Sequence, residues 1–161
     1  MAVIVSIFGL AIAALLYKKV VSIEIDNPTV ADITKQIQDG AMAFLKAEYR
    51  YLSIFIVVVA ALLFWNNGQQ TALAFLAGAT ASVIAGFCGM RSATSANGRT
   101  AMAASESGSA KALEVSYNGG AVMGLSVGGL GLLGISLMAM WLGTGSAVQN
   151  IAGFGMGASS I

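Results

Sequence analysis

The stretch that decides the fold is Tyr51-Leu-Ser-Ile-Phe-Ile-Val-Val-Val-Ala-Ala-Leu-Leu-Phe-Trp65, which carries no charge. It lies inside a longer uncharged region, residues 51–90. The other uncharged regions are residues 1–17 and 115–161. All fifteen charged residues lie between them, ten in residues 18–50 and five in residues 91–114. A charge at the bilayer centre costs about 2.5–3.5 kcal/mol, whereas a soluble protein carries charge over its whole surface. The segregation therefore predicts membrane-spanning segments separated by charged segments outside the lipid.

The composition agrees with a membrane protein and excludes several other classes. The 161 residues are 57% hydrophobic and 9% charged, against about 25% charged in an ordinary globular domain. The net charge is +1, and no dense basic stripe indicates a nucleic-acid partner. The absence of histidine excludes histidine metal sites and histidine general bases. The single cysteine, Cys88, lies in an apolar run and is interpreted as a small packing residue.

The lengths of the uncharged regions predict an all-α fold, a polytopic transmembrane helix bundle. A helix needs about 20 residues to cross a hydrocarbon core of about 30 Å. We predict one transmembrane domain over residues 1–161, with four full spans and the start of a fifth. The predicted spans are residues 1–18, 51–66, 71–91, 115–142 and 147–161. Because Lys18 and Lys19 follow the first apolar run and no basic residue precedes it, we predict a retained span rather than a signal peptide.

Local signals place the start of the second helix at Asn27-Pro28. Asn27 can cap the helix, Pro28 suits its first position, and Asp32 is expected to complement the helix dipole in the first turn. An apolar stripe at helical spacing then predicts an amphipathic segment outside the hydrocarbon. The residues of the stripe are Ile33, Ile37, Ala41, Phe44, Leu45 and Leu52. The helix continues without a breaker into residues 51–66, so it is predicted to project beyond the membrane.

The third helix is likewise predicted to continue past its span. The uncharged region ends at Arg91, but helix-compatible residues continue to Ala104, weakened only at Gly98. Turns are expected at residues 66–70, 105–109 and 143–146. Stripes of small residues predict closely packed spans, since small side chains let helix backbones approach. The stripes are Ala74, Gly78, Ser82 and Gly86 on the third helix, Gly120, Gly124 and Gly128 on the fourth, and Gly153 and Gly157 on the fifth.

The distribution of positive charge predicts the topology. All eight Lys and Arg lie in residues 18–50 and 91–114, while the turns at residues 66–70 and 143–146 carry no charge. The positive-inside rule makes the two charged segments cytoplasmic and places the N-terminus outside. Aromatic residues at the ends of the spans are expected to act as interface anchors. They are Trp65 and Trp141 on the outer side, and Tyr17, Tyr49, Tyr51 and Tyr117 at the cytoplasmic boundary.

The predicted spans contain no ionisable Asp, Glu, Lys or Arg at depth. An ion carrier normally needs such a group, so these residues alone are not expected to form a self-sufficient pump. Arg91, Ser95 and Arg99 lie on one face of the third helix and could meet a phosphate. The favoured interpretation is a solvated or inter-helix face at the membrane boundary.

Acidic side chains could bind Mg²⁺, but their pattern favours another role. The candidates are Asp26, Asp32, Asp39, Glu48, Glu106 and Glu114. They are scattered and mixed with lysines, which is typical of surface ion pairs such as Lys35–Asp39 at i, i+4. We therefore predict no catalytic, cofactor-binding or metal-binding residue in this sequence.

Four stretches in order resemble the membrane-integral, ion-translocating inorganic pyrophosphatases of bacteria and archaea. Gly89-Met-Arg-Ser-Ala-Thr-Ser-Ala-Asn-Gly-Arg-Thr100 is similar to their Gly-Met-Lys/Arg-x-Ala-Thr-x-Ala-Asn-x-Arg-Thr segment. The stretch Tyr117-Asn-Gly-Gly-Ala-Val-Met-Gly124 resembles the start of their fourth helix. The approach to the second helix, residues 37–49, and the fifth-helix stretch, residues 153–160, resemble the corresponding family segments. The resemblance covers nearly the whole chain.

The resemblance implies a homodimer of subunits with about sixteen helices in an inner and an outer ring. Such proteins hydrolyse Mg-pyrophosphate on the cytoplasmic side of the cell membrane and pump H⁺ or Na⁺ outward, with Mg²⁺ as cofactor and K⁺ as a stimulator in some members. The first four helices belong to the outer ring, and the fifth begins the inner ring. The sequence would then be an N-terminal fragment, and the Asp-rich segment of the active site would follow Ile161.

Two alternatives remain at this stage. One is a small, non-catalytic membrane partner subunit, and the other is an unrelated small transporter. The choice between H⁺ and Na⁺, the K⁺ dependence and the roles of Arg91 and Arg99 stay open.

Overall fold

The computed structural model describes residues 1–142 and 147–160, and these residues form five helices. The helices are α1 (Ala2–Val21), α2 (Pro28–Asn67), α3 (Gln69–Ser107), α4 (Ser109–Leu142) and α5 (Ala147–Ala158). The first four are long and apolar enough to cross a membrane. The described part thus confirms the all-α, polytopic prediction. The turn predicted at residues 143–146 lies outside the described residues.

Single glycines reverse the chain between the long helices. Gly68 joins α2 to α3 and Gly108 joins α3 to α4, with φ angles of +89° and +82°. Side-chain-bearing residues rarely adopt such angles, so each position requires glycine. The turns predicted at residues 66–70 and 105–109 were too wide, because the polar residues beside each glycine remain helical.

The start of α2 follows the predicted capping chemistry. The side chain of Asn27 accepts hydrogen bonds from the backbone N–H of Thr29 at 2.9 Å and of Val30 at 3.2 Å. Pro28 is the first helical residue, as predicted. The expectation for Asp32 was wrong, since the first turn holds no acidic residue. Asp32 lies one turn further along, where it accepts a hydrogen bond from Gln36 at 2.8 Å.

The central helix is α3, which packs against α2, α4 and α5, while α1 packs mainly on α4. Half of the buried residues in the described helices lie on α3. In contrast, only Thr34 and Leu45 are buried on α2. The predicted apolar stripe of α2 is therefore largely uncovered in this chain, with Ile33, Ile37 and Phe44 exposed.

The crossing of α3 and α5 confirms close packing at Ala74 and Gly78 of the α3 stripe and at Gly153 and Gly157 of the α5 stripe, whereas Gly86 faces Tyr49 of α2. A Cβ atom on Gly78 would overlap the carbonyl oxygen of Phe154, and a Cβ on Gly157 would overlap that of Phe75. A Cβ on Gly153 would come within 3.0 Å of Thr71. The two backbones are thus in direct contact, as glycine-rich membrane interfaces allow.

The stripe predicted on α4 was wrong for the contacts within this chain. A Cβ atom on Gly120, Gly124 or Gly128 would meet no atom of the described residues within 4 Å. The packed face of α4 instead runs through Gly119 and Gly129, where Cβ atoms would crowd Ala96 and Leu10. Successive residues are about 100° apart around a helix, which places the predicted stripe on the side of α4 opposite its buried residues Val115, Gly119, Val122, Ser126 and Gly129.

We define residues 18–50 and 91–114 as the charged end of the bundle. Both ion pairs found among the described residues lie there and involve one acidic residue. Glu114 pairs with Lys19 of α1 at 2.8 Å and with Lys111 of its own helix at 2.9 Å. The predicted Lys35–Asp39 pair was wrong: these exposed side chains form no ion pair. Isolated exposed pairs of this kind contribute about 0.3–0.5 kcal/mol, too little to fix two long side chains.

The predicted aromatic anchors fall into two groups. Trp65, Trp141, Tyr51 and Tyr117 are exposed, and their role as interface anchors stays a prediction. Tyr17 and Tyr49 instead bond to α3: Tyr17 accepts a hydrogen bond from Arg91 at 3.2 Å, and Tyr49 donates one to the carbonyl oxygen of Val83 at 3.0 Å.

The crossing of α3 and α5 yields a test with a matched control. Gly157→Ala should lower the free energy of unfolding by about 1–3 kcal/mol, because the added methyl overlaps a backbone carbonyl that cannot rotate away. Gly155→Ala, two residues earlier on α5, meets open space and should be neutral or slightly stabilising. Unfolding of both variants in detergent measures the difference. Equal effects would contradict the crossing.

The pair of lysines beside Glu114 predicts a pH dependence. Hydrogen bonds and charge attraction from Lys19 and Lys111 lower the pKa of Glu114 from 4.5 to about 2. A carboxyl whose pKa is lowered by folding stabilises the fold above its unfolded pKa, and this contribution disappears as the pH falls. The parent protein should therefore have a higher unfolding midpoint than Glu114→Gln at pH 6. This difference should vanish between about pH 4.5 and 2.

Glu106→Gln serves as the control, since Glu106 forms no ion pair in the described part of the chain. Its difference from the parent should stay small throughout the same titration. A constant advantage of Glu114 down to pH 2 would contradict the assignment.

Candidate functional site

At the charged end, α1, α2 and α3 enclose a polar cleft of about 370 Å³. Its polar lining residues are Tyr17, Gln38, Asp39, Arg91, Thr94, Ser95 and Arg99. The structure therefore brings together the three residues that the sequence placed on one helical face. We call this cavity the Arg91/Arg99 cleft.

Arg99 holds the end of α1. Its Nε donates to the carbonyl oxygen of Ile23 at 2.7 Å and its Nη2 to that of Val21 at 3.1 Å. Its Nη1 donates to the carbonyl oxygen of Ser95 at 2.7 Å. The last carbonyls of a helix lack partners within the helix, so a guanidinium is well suited to satisfy them. Burial lowers the pKa of Arg99, but a guanidinium keeps its charge in proteins.

Arg91 has a different environment two turns earlier on α3. It is exposed, and its Nε donates to the hydroxyl of Tyr17 on α1 at 3.2 Å. Within the part of the chain that the structure describes, the two terminal nitrogens of Arg91 have no protein partner. Arg91 is thus positioned by one bond and retains donors for another group.

Close contacts between α2 and α3 form the remaining wall of the cleft. Gln38 Nε2 donates to Ser95 Oγ at 3.4 Å. Next to it, a Cβ on Gly98 would overlap the hydroxyl of Thr34, which itself donates to the carbonyl oxygen of Val30 at 2.7 Å. The favoured interpretation, an inter-helix face, agrees with the bonds of Ser95 and Arg99.

Sequence reasoning missed Tyr17, Gln38 and Thr34 as partners in this region. A signal was present for Thr34, because an isolated glycine inside a helix often marks a close backbone approach, and Gly98 is such a glycine. No local sequence pattern predicts the bonds of Arg99 to Ile23 and Val21, because these partners lie 76 and 78 residues away.

The acidic side chains do not converge. Among the residues described, no three Cys, Asp or Glu side chains lie close enough together to hold a metal ion. Asp32 is engaged by Gln36, and Glu114 is engaged by two lysines. The chemistry available in the cleft is therefore hydrogen bonding and binding of an anion, through guanidinium, hydroxyl and amide groups.

Four long apolar helices with charge confined to one end define a multi-pass membrane protein. The chain belongs to the family described as inorganic H⁺ pyrophosphatase, whose model matches residues 7–161. The match confirms the resemblance read from the four sequence stretches.

Individual relatives carry names that specify two different ions. A Clostridium tetani protein named among the K⁺-stimulated pyrophosphate-energized sodium pumps is 45% identical over 135 residues, 84% of this chain and 20% of the relative. A K⁺-insensitive pyrophosphate-energized proton pump of Methanosarcina mazei is 38% identical over 157 residues, which are 96% of this chain and 23% of the relative. A K⁺-stimulated pyrophosphate-energized sodium pump of Thermotoga maritima is 39% identical over 145 residues, 87% and 20%. The chain spans about a fifth of the length of the curated relatives it matches.

The bonds of Arg99 predict a structural cost on its replacement. Arg99→Gln should lower the free energy of unfolding by about 1–3 kcal/mol, because the partly buried carbonyl oxygen of Ile23 and the exposed one of Val21 lose a charged donor. Arg99→Lys should recover only part of the loss, since an ammonium lacks the planar fork. Arg50→Gln is the control, because Arg50 is exposed and should change stability by less than about 0.5 kcal/mol. Equal unfolding curves for Arg99→Gln and Arg50→Gln would refute this role.

Proposed function

We propose that this chain forms part of an ion-translocating inorganic pyrophosphatase, which couples hydrolysis of Mg-pyrophosphate to the movement of H⁺ or Na⁺ across a membrane. The observation that carries the proposal is the family match over residues 7–161. Relatives named as pyrophosphate-energized pumps for both ions support it. Since proton and sodium pumps are similarly related to this chain, the proposal includes both ions.

Within such an enzyme, we assign these helices a scaffold role. Residues 51–90 and 115–161 carry no ionisable Asp, Glu, Lys or Arg that could bind an ion at depth. Hydrolysis of Mg-pyrophosphate needs a convergent set of carboxylates to hold the metal ions and orient water. The acidic side chains of the described residues do not fit such a site, because no three of them converge. The hydrolytic and ion-conducting residues are therefore proposed to lie outside residues 1–161.

The proposed orientation places the charged end in the cytoplasm and the N-terminus outside the cell membrane. All eight Lys and Arg lie at the charged end, which the positive-inside rule favours. The Arg91/Arg99 cleft would then lie on the side where pyrophosphate is hydrolysed. A homodimer of the whole protein is proposed on the family resemblance.

Vesicles provide the test of activity. Inverted membrane vesicles that contain the complete gene product should hydrolyse pyrophosphate in the presence of Mg²⁺ and take up H⁺ or ²²Na⁺. Residues 1–161 expressed alone should hydrolyse none, even at saturating Mg²⁺. A correctly inserted gene product without hydrolysis would refute the function, whereas turnover by residues 1–161 alone would refute the scaffold assignment.

A second experiment separates the structural from the substrate-binding interpretation of the two arginines. Arg91→Ala and Arg99→Ala in the complete protein should reduce stability or assembly and leave the KM for Mg-pyrophosphate nearly unchanged, because Arg99 is engaged by backbone carbonyls. Arg50→Ala is the matched control. A selective rise in KM without loss of stability would instead favour binding of pyrophosphate in the cleft.

A further inference from the structure

An apolar groove adjoins the Arg91/Arg99 cleft. It has a volume of about 320 Å³ and lies between α1, α3 and α4. Its apolar lining includes Leu10, Ala14, Phe87, Cys88, Val122 and Leu130. Tyr17 and Arg91 line both the groove and the polar cleft. The two cavities therefore meet at the hydrogen bond between these side chains, and together they form one amphipathic cavity.

The polar part of this cavity has an excess of positive charge. It is lined by two guanidinium groups and by one carboxylate, that of Asp39. Neither arginine forms an ion pair in the described part of the chain, where both ion pairs involve Glu114. The Tyr17 hydroxyl fixes Nε of Arg91, and its terminal nitrogens remain available. A guanidinium in this state binds a phosphate group through charge-assisted hydrogen bonds.

The position of the cavity matches the depth profile of a bilayer. Arg91 is the first charged residue after the uncharged residues 51–90, so it lies where hydrocarbon gives way to headgroups. Leu10 lies seven residues from Tyr17 on α1, which is about 10 Å along a helix axis. The apolar groove thus extends from headgroup level into the hydrocarbon, while the cationic cleft stays at its mouth.

We propose that this cavity binds one anionic phospholipid, with its phosphate on Arg91 and an acyl chain in the groove. Charge complementarity selects the headgroup, since a zwitterionic lipid brings a second cation toward two arginines. The apolar lining selects a lipid over a soluble phosphate or pyrophosphate, because a small anion would leave the groove unfilled. The proposal stands independently of pyrophosphate hydrolysis.

Cys88 supplies a reporter inside the groove. Its free thiol is partly accessible, and a bound acyl chain would shield it. The complete protein, purified in mild detergent, is titrated with phosphatidylglycerol or phosphatidylcholine. Alkylation of Cys88 by N-ethylmaleimide is followed by mass spectrometry of the peptide that contains it. Phosphatidylglycerol should slow the alkylation at about tenfold lower concentration than phosphatidylcholine.

Two pairs of variants assign the two halves of the site. Arg91→Gln should raise the phosphatidylglycerol concentration needed to protect Cys88 about tenfold. Arg50→Gln should leave this concentration unchanged, because Arg50 lines neither cavity. Ala14→Trp should fill the groove and abolish binding of phosphatidylglycerol counted by native mass spectrometry. Leu15→Trp, at an exposed position of α1 that lines neither cavity, should retain it. Unfolding midpoints of all variants exclude misfolded protein.

Controls with soluble anions distinguish a lipid phosphate from a free one. Inorganic phosphate, pyrophosphate and glycerophosphoglycerol should not protect Cys88 at millimolar concentration. Protection by any of them equal to that of phosphatidylglycerol would overturn the proposal in favour of a soluble anion site. Equal protection by both lipids, or unchanged protection in Arg91→Gln, would also overturn the proposal. So would a Cys88 that resists alkylation without lipid, because protein would then cover the groove.

Discussion

The cost of placing charge in hydrocarbon governs this chain, because it forces all fifteen charged residues to one end of the helices. Tertiary contacts with charged side chains are therefore available only there. The ion pairs of Glu114 join α1 to α4, and the guanidinium of Arg99 joins the end of α1 to α3. Deeper in the bundle, association depends instead on shape, as the backbone contact of Gly78 with α5 illustrates.

Features with local causes were predictable from the sequence. Apolar length predicted four helices long enough to cross a membrane. Asn27-Pro28 sets the start of α2, because capping involves residues only two or three positions apart. The four motif stretches identified the family, and the family match confirms them. The grouping of Arg91, Ser95 and Arg99 also followed from helical spacing alone.

Features that depend on neighbouring helices were not predictable in the same way. The stripe of Gly120, Gly124 and Gly128 has the spacing of a packing face, yet α4 presents the opposite face to its described neighbours. Spacing defines a face but not the direction in which a partner lies. Likewise, the partners of Arg99 depend on where α1 ends in space, and the Lys35–Asp39 pair failed because neither side chain is held by burial or a second contact.

The one-residue connections at Gly68 and Gly108 limit how the bundle can move. A single residue leaves no slack, so α2, α3 and α4 cannot slide past one another along the membrane normal without unwinding a helix end. Residues 22–27 form the one longer link between consecutive helices in the described part. Axial displacement is thus restrained within α2, α3 and α4 by the chain itself, whereas α1 is held to them by side-chain bonds, those of Arg99 and the Lys19–Glu114 ion pair.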